Sequence, residues 1–284
     1  MVNDMREIVG KTFDEERALY GSDDIVVKQC KIQGPADGES ALKESSNIKV
    51  EDSFFDLRYP FWHDYHLIIE NSEMTENCRA PLWYSREVMI TNCKIHGVKA
   101  VRECNKVRIK DCDIVSPEFG WNNNEVIIED SSASGEYFLM NSKMIRIARI
   151  SLDGKYSFQY IENALFEDCT FDTKDAFWHA KDVTLRNCKI KSEYLGWYCE
   201  NVTFDNCVII GTQPLCYCKG LQLINCEMID CDLSFEKSEV EAELREPIRS
   251  IKNPASGHIT VPYAAELIID DPDSNCVIVE VNKK

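Results

Sequence analysis

The chain has 284 residues, a hydrophobic fraction of 44% and a formal net charge of −17. That apolar fraction excludes general disorder, and the acidic balance argues against a nucleic-acid backbone or an anionic membrane as partner. The opening "MVNDMREIVGKTFDEERALYG" lacks the apolar core of a signal peptide, and no later stretch has the length of a membrane span, so a cytosolic protein with reduced cysteines is expected.

Residues 1–20, with "FDEERAL" at 13–19, read as an N-terminal cap, a short helix or lead-in over one end of the fold. A repeat then begins. "VMITNCKI" at 88–95, "VRIKDCDI" at 107–114, "VTLRNCKI" at 183–190 and "VTFDNCVI" at 202–209 share one pattern, and "LFEDCTF" and "LQLINCEM" continue it. The column Cys93, Cys112, Ser131, Ile150, Cys169, Cys188, Cys207, Cys226 advances by nineteen at every step, with Cys30, Ser53 and Ser72 upstream. A fixed period near twenty marks a solenoid whose units stack on their neighbours.

Each unit opens with alternating apolar and polar residues, the period of a half-buried strand, and its apolar positions favour β-branched residues. An Asn or Asp column follows: Asn71, Asn92, Asp111, Asp130, Asp168, Asn187, Asn206 and Asn225. Both residue types tolerate the left-handed conformation, so a sharp bend is expected there before a second short strand. Ten residues before the cysteine column stands another, which includes Lys43, Trp62, Trp83, Arg102, Trp121, Gln159, Trp178 and Trp197 and so holds all five tryptophans. The residue before it is mostly aliphatic, Phe or Gly, which predicts a third strand.

The cysteines read as core. Cys104, Cys199 and Cys218 share a second column, serine replaces cysteine at 53, 72 and 131, and "CYC" at 216–218 has no partnering cluster. Small buried hydrophobes explain this better than metal or disulfide chemistry, and neither a metal nor a cofactor is expected. After Val240 the period fades, and 251–284 reads as irregular coils, a closing hairpin or a cap.

The prediction is an all-β chain: one right-handed parallel β-helix over 1–250, about twelve coils long, with three short strands per coil. At about 4.8 Å per coil it would extend roughly 55 Å. A leucine-rich repeat needs a helical return, and a hexapeptide helix needs a six-residue sub-period that nineteen does not contain. The Asn bend followed by an inward strand resembles the asparagine ladder of pectate-lyase-like (pectin-lyase-like) β-helices. More specifically, "PLWYS", "DTKDAFWHAKDVT", "EYLGWYCENVT", "GTQPLCYCKGLQLINCEMID" and "FEKSEV" resemble an uncharacterised bacterial family of such proteins. The resemblance implies the fold and supplies no function.

Strict alternation along the third strand would turn the Trp column outward, which agrees with Lys43, Arg102 and Gln159 standing in it. The opposite register would bury those polar groups. In the outward register Trp83, Arg102 and Trp121 form a cation–π sandwich, and Trp178 and Trp197 an aromatic pair. With Tyr198 they make the expected substrate-binding set for a saccharide, and Asp175, His179 and Glu103 are the acid/base candidates for catalysis. Fold analogy alone would make such a protein a carbohydrate-active lyase or hydrolase. The alternative is a non-catalytic scaffold that docks another protein, or a second copy of itself, through the aromatic face. "RIK" at 108–110 has the form of a polygalacturonase motif, but its companions are missing and it lies in an ordinary repeat strand.

Overall fold

A computed structural model describes residues 5–34 and 38–281. The chain falls into two compact units, Met1–Met144 and Ile145–Lys284. Each is a parallel β-solenoid, and no helix occurs among the described residues; the chain makes about 14 turns with a period of about 19 residues.

In the first unit one parallel ladder runs through Arg6–Val9, Asp23–Lys28, Ser46–Glu51, Tyr65–Glu70, Arg86–Thr91, Asn105–Lys110 and Asn124–Glu129. It is in register throughout, so Val88 lies beside Leu67 and Val107, and Ile90 beside Ile69 and Ile109. These inward side chains are buried, which is why the alternating pattern recurs at the coil period. The second unit repeats the scheme through Glu162–Glu167, Lys181–Arg186 and Glu200–Asp205, with Val183 beside Val202 and Leu185 beside Phe204.

The Asn/Asp column is the expected bend. Asn71, Asn92, Asp111, Asn187, Asn206 and Asn225 all have φ between 49° and 53°. Their side chains also bond along the stack: Asn206 Nδ2 donates to Asn187 Oδ1 at 2.9 Å, and Asn225 Nδ2 to Asn206 Oδ1 at 3.1 Å.

The cysteine column lies inside and is unbridged. Its serine substitutes explain its role. The Cys30 N–H donates to Ser53 Oγ at 3.1 Å, Ser53 N–H to Ser72 Oγ at 3.0 Å, and Ser72 N–H to Cys93 Sγ at 3.3 Å. Each small side chain therefore satisfies an inward N–H of the preceding coil, and a thiol or a hydroxyl serves equally. Burial pushes the thiols of Cys104, Cys216 and Cys231 up to about 12.

Two expectations are corrected. The lead-in over 1–20 is not a helix: Arg6–Val9 and Thr12–Phe13 pair with Asp23–Lys28 and Lys31–Gln33 as a first coil, while residues 1–4 lie outside the described residues. Beyond residue 250 the parallel pairing continues at uneven spacing. Ser256–Val261 pairs in parallel with Glu239–Leu244 and Val277–Glu280, and Ala264–Ile268 with Ile248–Lys252, with residues 282–284 outside the described range. Finally, the Trp segment is a strand only at Phe61–Trp62 and Leu82–Trp83. Elsewhere it is a tight turn, for the backbone reason given next.

Candidate functional site

The Trp column lies in a corner flanked by left-handed residues. Those before it include Val101, Leu139, Phe158, Phe177 and Leu215, with φ of 57–61°; those after it include His63, Tyr84, Tyr160, His179, Tyr198 and Tyr217, with φ of 55–61°. Left-handed backbone on both sides breaks the alternation of a strand. The residue before the Trp points into the core, the residue after it points to solvent, and the Trp itself lies along the surface between them.

The tryptophans are accordingly half-buried, and four of the five are tied to the next coil, while Trp83 Nε1 is buried without a hydrogen-bond partner. In the first unit Trp62 Nε1 donates to the Ala80 carbonyl at 2.7 Å and Trp121 Nε1 to the Tyr137 carbonyl at 2.8 Å. In the second, Trp178 Nε1 donates to the Tyr194 carbonyl at 2.7 Å and Trp197 Nε1 to the Gln213 carbonyl at 2.8 Å. The outward register is therefore corrected, and the buried register does not hold either. Where Gln159 replaces Trp it is buried, and its Nε2 makes the same bond to the Asp175 carbonyl at 2.9 Å.

The exposed surface of the second unit is the column after the tryptophans. Tyr160 stacks on His179 (centroids 4.9 Å apart, planes at 8°), His179 on Tyr198 (5.1 Å, 8°) and Tyr198 on Tyr217 (4.9 Å, 13°). Tyr160 and Tyr198 are 46% and 44% exposed. Trp178 and Trp197 stack beneath them at 5.5 Å and 6°, and Tyr217 meets Trp197 edge-on at 5.6 Å. These are offset stacks, so the ring faces largely cover one another and the ladder shows solvent its edges: phenol hydroxyls and imidazole nitrogens, one per coil. Burial, with Glu236 nearby, raises the Tyr217 hydroxyl above its ordinary value. Tyr160 and Tyr217 complete the ladder that includes the expected site residues His179 and Tyr198. Their place in the same column was the available signal.

In the first unit the expected sandwich is present. The Arg102 guanidinium lies 5.0 Å from the ring centroids of both Trp83 and Trp121. Glu103 Oε1 is 3.6 Å from Arg102 Nε, outside hydrogen-bonding range, and Glu118 is 3.9 Å from Nη1. The guanidinium is thus stacked between two indoles with two carboxylates at ion-pair distance.

The acid/base candidates differ in setting. Asp175 is buried at 8% exposure, and burial raises its carboxyl above the ordinary range. His179 is exposed, with its ring sandwiched between Tyr160 and Tyr198. Glu103 belongs to the first unit, beside Arg102.

The DUF3737 family, described as a protein of unknown function, matches residues 6–281, and the chain belongs to it. No curated protein matches. Among solved structures, the A-module of the mannuronan C-5 epimerase AlgE6 of Azotobacter vinelandii is similar at 9% identity and a TM-score of 0.48, covering 96% of this chain and 87% of that one. The catalytic domain of a GH87 alpha-1,3-glucanase in complex with tetrasaccharides is similar at 12% identity and a TM-score of 0.40, covering 97% and 64%. The tailspike protein gp49 of Acinetobacter baumannii bacteriophage Fri1, a capsular polysaccharide depolymerase, is similar at 9% identity and a TM-score of 0.38, covering 86% and 63%.

Proposed function

We propose that this DUF3737 chain recognises an extended carbohydrate, without transforming it, along the ladder Tyr160–His179–Tyr198–Tyr217. The observation that carries the reading is the continuity of that ladder: four stacked rings on successive coils, three of them exposed and Tyr217 half-buried. A ligand whose own units repeat can make the same contact on each coil, so weak hydrogen bonds to hydroxyl and imidazole edges add along its length. Sugar hydroxyls suit such a rim, because each both donates and accepts. Two features support binding without turnover: His179 is held by two ring faces, and the Asp175 carboxyl is buried.

The test is titration of soluble neutral and acidic polysaccharides into the purified protein, with Tyr198→Ala and His179→Ala beside it. Each variant should weaken binding about tenfold or more, which is about 1.4 kcal/mol, with the fold intact. Equal binding by wild type and both variants, or none by any, overturns the reading. A concentration-dependent dimer lost in Tyr198→Ala would replace it with self-association through the same ladder.

A further inference from the structure

A carboxyl group lies inside the first unit, and the binding face does not use it. Asp64 is 1% exposed, between the exposed His63 and Tyr65. It occupies the second inward column, two residues after the tryptophan, where other coils carry Ser45, Ser85, Cys104, Asn123 and Ser142. In the first unit the polar rungs of that column share two tasks. One is to accept the N–H of the preceding coil, and the other is to donate to the carbonyl that precedes the Trp column on that coil. Asn123 shows both: its Oδ1 accepts Cys104 N–H at 2.7 Å and its Nδ2 donates to the Val101 carbonyl at 2.7 Å. Ser85 Oγ donates to the Phe61 carbonyl at 2.8 Å, and Ser142 Oγ to the Gly120 carbonyl at 2.6 Å.

Asp64 performs the first task, since its Oδ1 accepts Ser45 N–H at 3.0 Å. Its Oδ2 is buried with no partner if the group is a carboxylate. The register puts the Leu42 carbonyl where Val101 stands for Asn123. A carboxylate there would set an anion against a carbonyl oxygen in an apolar core. A carboxylic acid would complete the column.

We propose that Asp64 is a neutral carboxylic acid at neutral pH, its Oδ2–H donating to the Leu42 carbonyl, and that losing this proton in alkali is a switch that loosens the coil carrying His63. The groups packed against it offer no compensating charge. The rungs on either side are Ser45 and Ser85, Lys43 is half-buried over the Trp62 ring, Glu44 and Arg86 are exposed, and the buried Cys104 is a neutral thiol. Desolvation raises the Asp64 carboxyl well above 3.8, against the opposing bond from Ser45. The sign follows: an acid with a raised folded-state value contributes stability below its unfolded value and loses it as pH rises through the folded one.

The experiment compares wild type with Asp64→Asn, which reproduces the Asn123 rung, in denaturant unfolding from about pH 5 to about pH 9. The ratio of their unfolding constants should change about tenfold per pH unit, in favour of the variant as pH rises, until the folded-state value is passed. A ratio independent of pH overturns the proposal. Should Asp64→Asn not fold, carboxyl-carbon NMR of the wild type decides. One aspartate carboxyl still protonated at neutral pH supports the proposal, and ionisation of all of them below about pH 6 refutes it.

Discussion

Replacing Trp178 with alanine separates a structural tryptophan from a ligand platform. Trp178 is half-buried, donates its indole N–H to the Tyr194 carbonyl at 2.7 Å and stacks on Trp197 at 5.5 Å. Truncating a fully buried aromatic costs about 3–5 kcal/mol, so half-burial scales to about 2 kcal/mol. The lost hydrogen bond adds about 1 kcal/mol, giving roughly 3 kcal/mol for Trp178→Ala. Trp178→Phe keeps the stacked ring and loses the bond, so about 1 kcal/mol is expected. Tyr198→Ala removes an exposed ring and two offset stacks, and should cost about 1 kcal/mol. Equilibrium unfolding followed by far-UV circular dichroism measures all three. If Trp178→Ala costs less than Tyr198→Ala, the indole is not a clamp between coils and the assignment of the two columns is wrong.

Cys112→Ser should be nearly neutral, because Ser53, Ser72 and Ser131 hold the same rung, whereas Cys112→Val orphans the Cys93 N–H now bonded to Cys112 Sγ at 3.4 Å and should cost about 1–3 kcal/mol by denaturant titration. Gly211 has φ +136°, and a Cβ there would sit 2.4 Å from the Ser192 carbonyl oxygen; Gly211→Ala should therefore destabilise by about 2 kcal/mol or more, and an unchanged melting temperature would contradict the close approach of the two coils. The His96 hydrogen bond at 2.8 Å holds the Asp113 carboxyl below its ordinary 3.8, so its contribution is present above that value and is lost as pH falls through the lower, folded one. With Asp113 52% exposed, Asp113→Asn should cost under about 1 kcal/mol at neutral pH and nothing at about pH 2, as read by unfolding at the two pH values.

The nineteen-residue ladder was legible because two independent demands share one period. Inward apolar pairs such as Val183 and Leu185 must stack on Val202 and Phe204, and the bend at Asn187 and Asn206 must recur with them. The interchange of Cys and Ser at one position was likewise readable as a buried rung, and the hydrogen bonds from Cys30 through Ser53 and Ser72 to Cys93 give its reason. The Trp corner was not legible. Alternation is a property of extended backbone, and nothing in Phe177–Trp178–His179 announces that Phe177 and His179 are left-handed at 61° and 55°. Phe, Leu and Val have little preference for that conformation; the coil imposes it. The coils at both ends are hard to read because the steps that join them to the regular stack, Asp23 to Ser46 and Glu239 to Ser256, are 23 and 17 residues rather than nineteen.

That imposed backbone also bears on what the ladder is for. The column after the tryptophans is left-handed whatever residue fills it: Glu103 at 52°, Asn122 at 57°, Asn141 at 56°, Tyr160 at 58°, His179 at 55°, Tyr198 at 61°. The left-handed conformation costs an ordinary residue about 1–2 kcal/mol, and asparagine less. In the first unit Asn122 and Asn141 meet the need cheaply and bond to each other at 2.7 Å. In the second unit three tyrosines and a histidine take the same strained position, and their offset stacking, at about 0.5–1.5 kcal/mol per pair, returns no more than the strain removes. The solenoid is equally well built with asparagine in that column, so the fold does not account for four rings at the surface. Strain held where the fold does not require it points to a surface kept for contact, and it separates this ladder from the tryptophans beneath, which the fold does require.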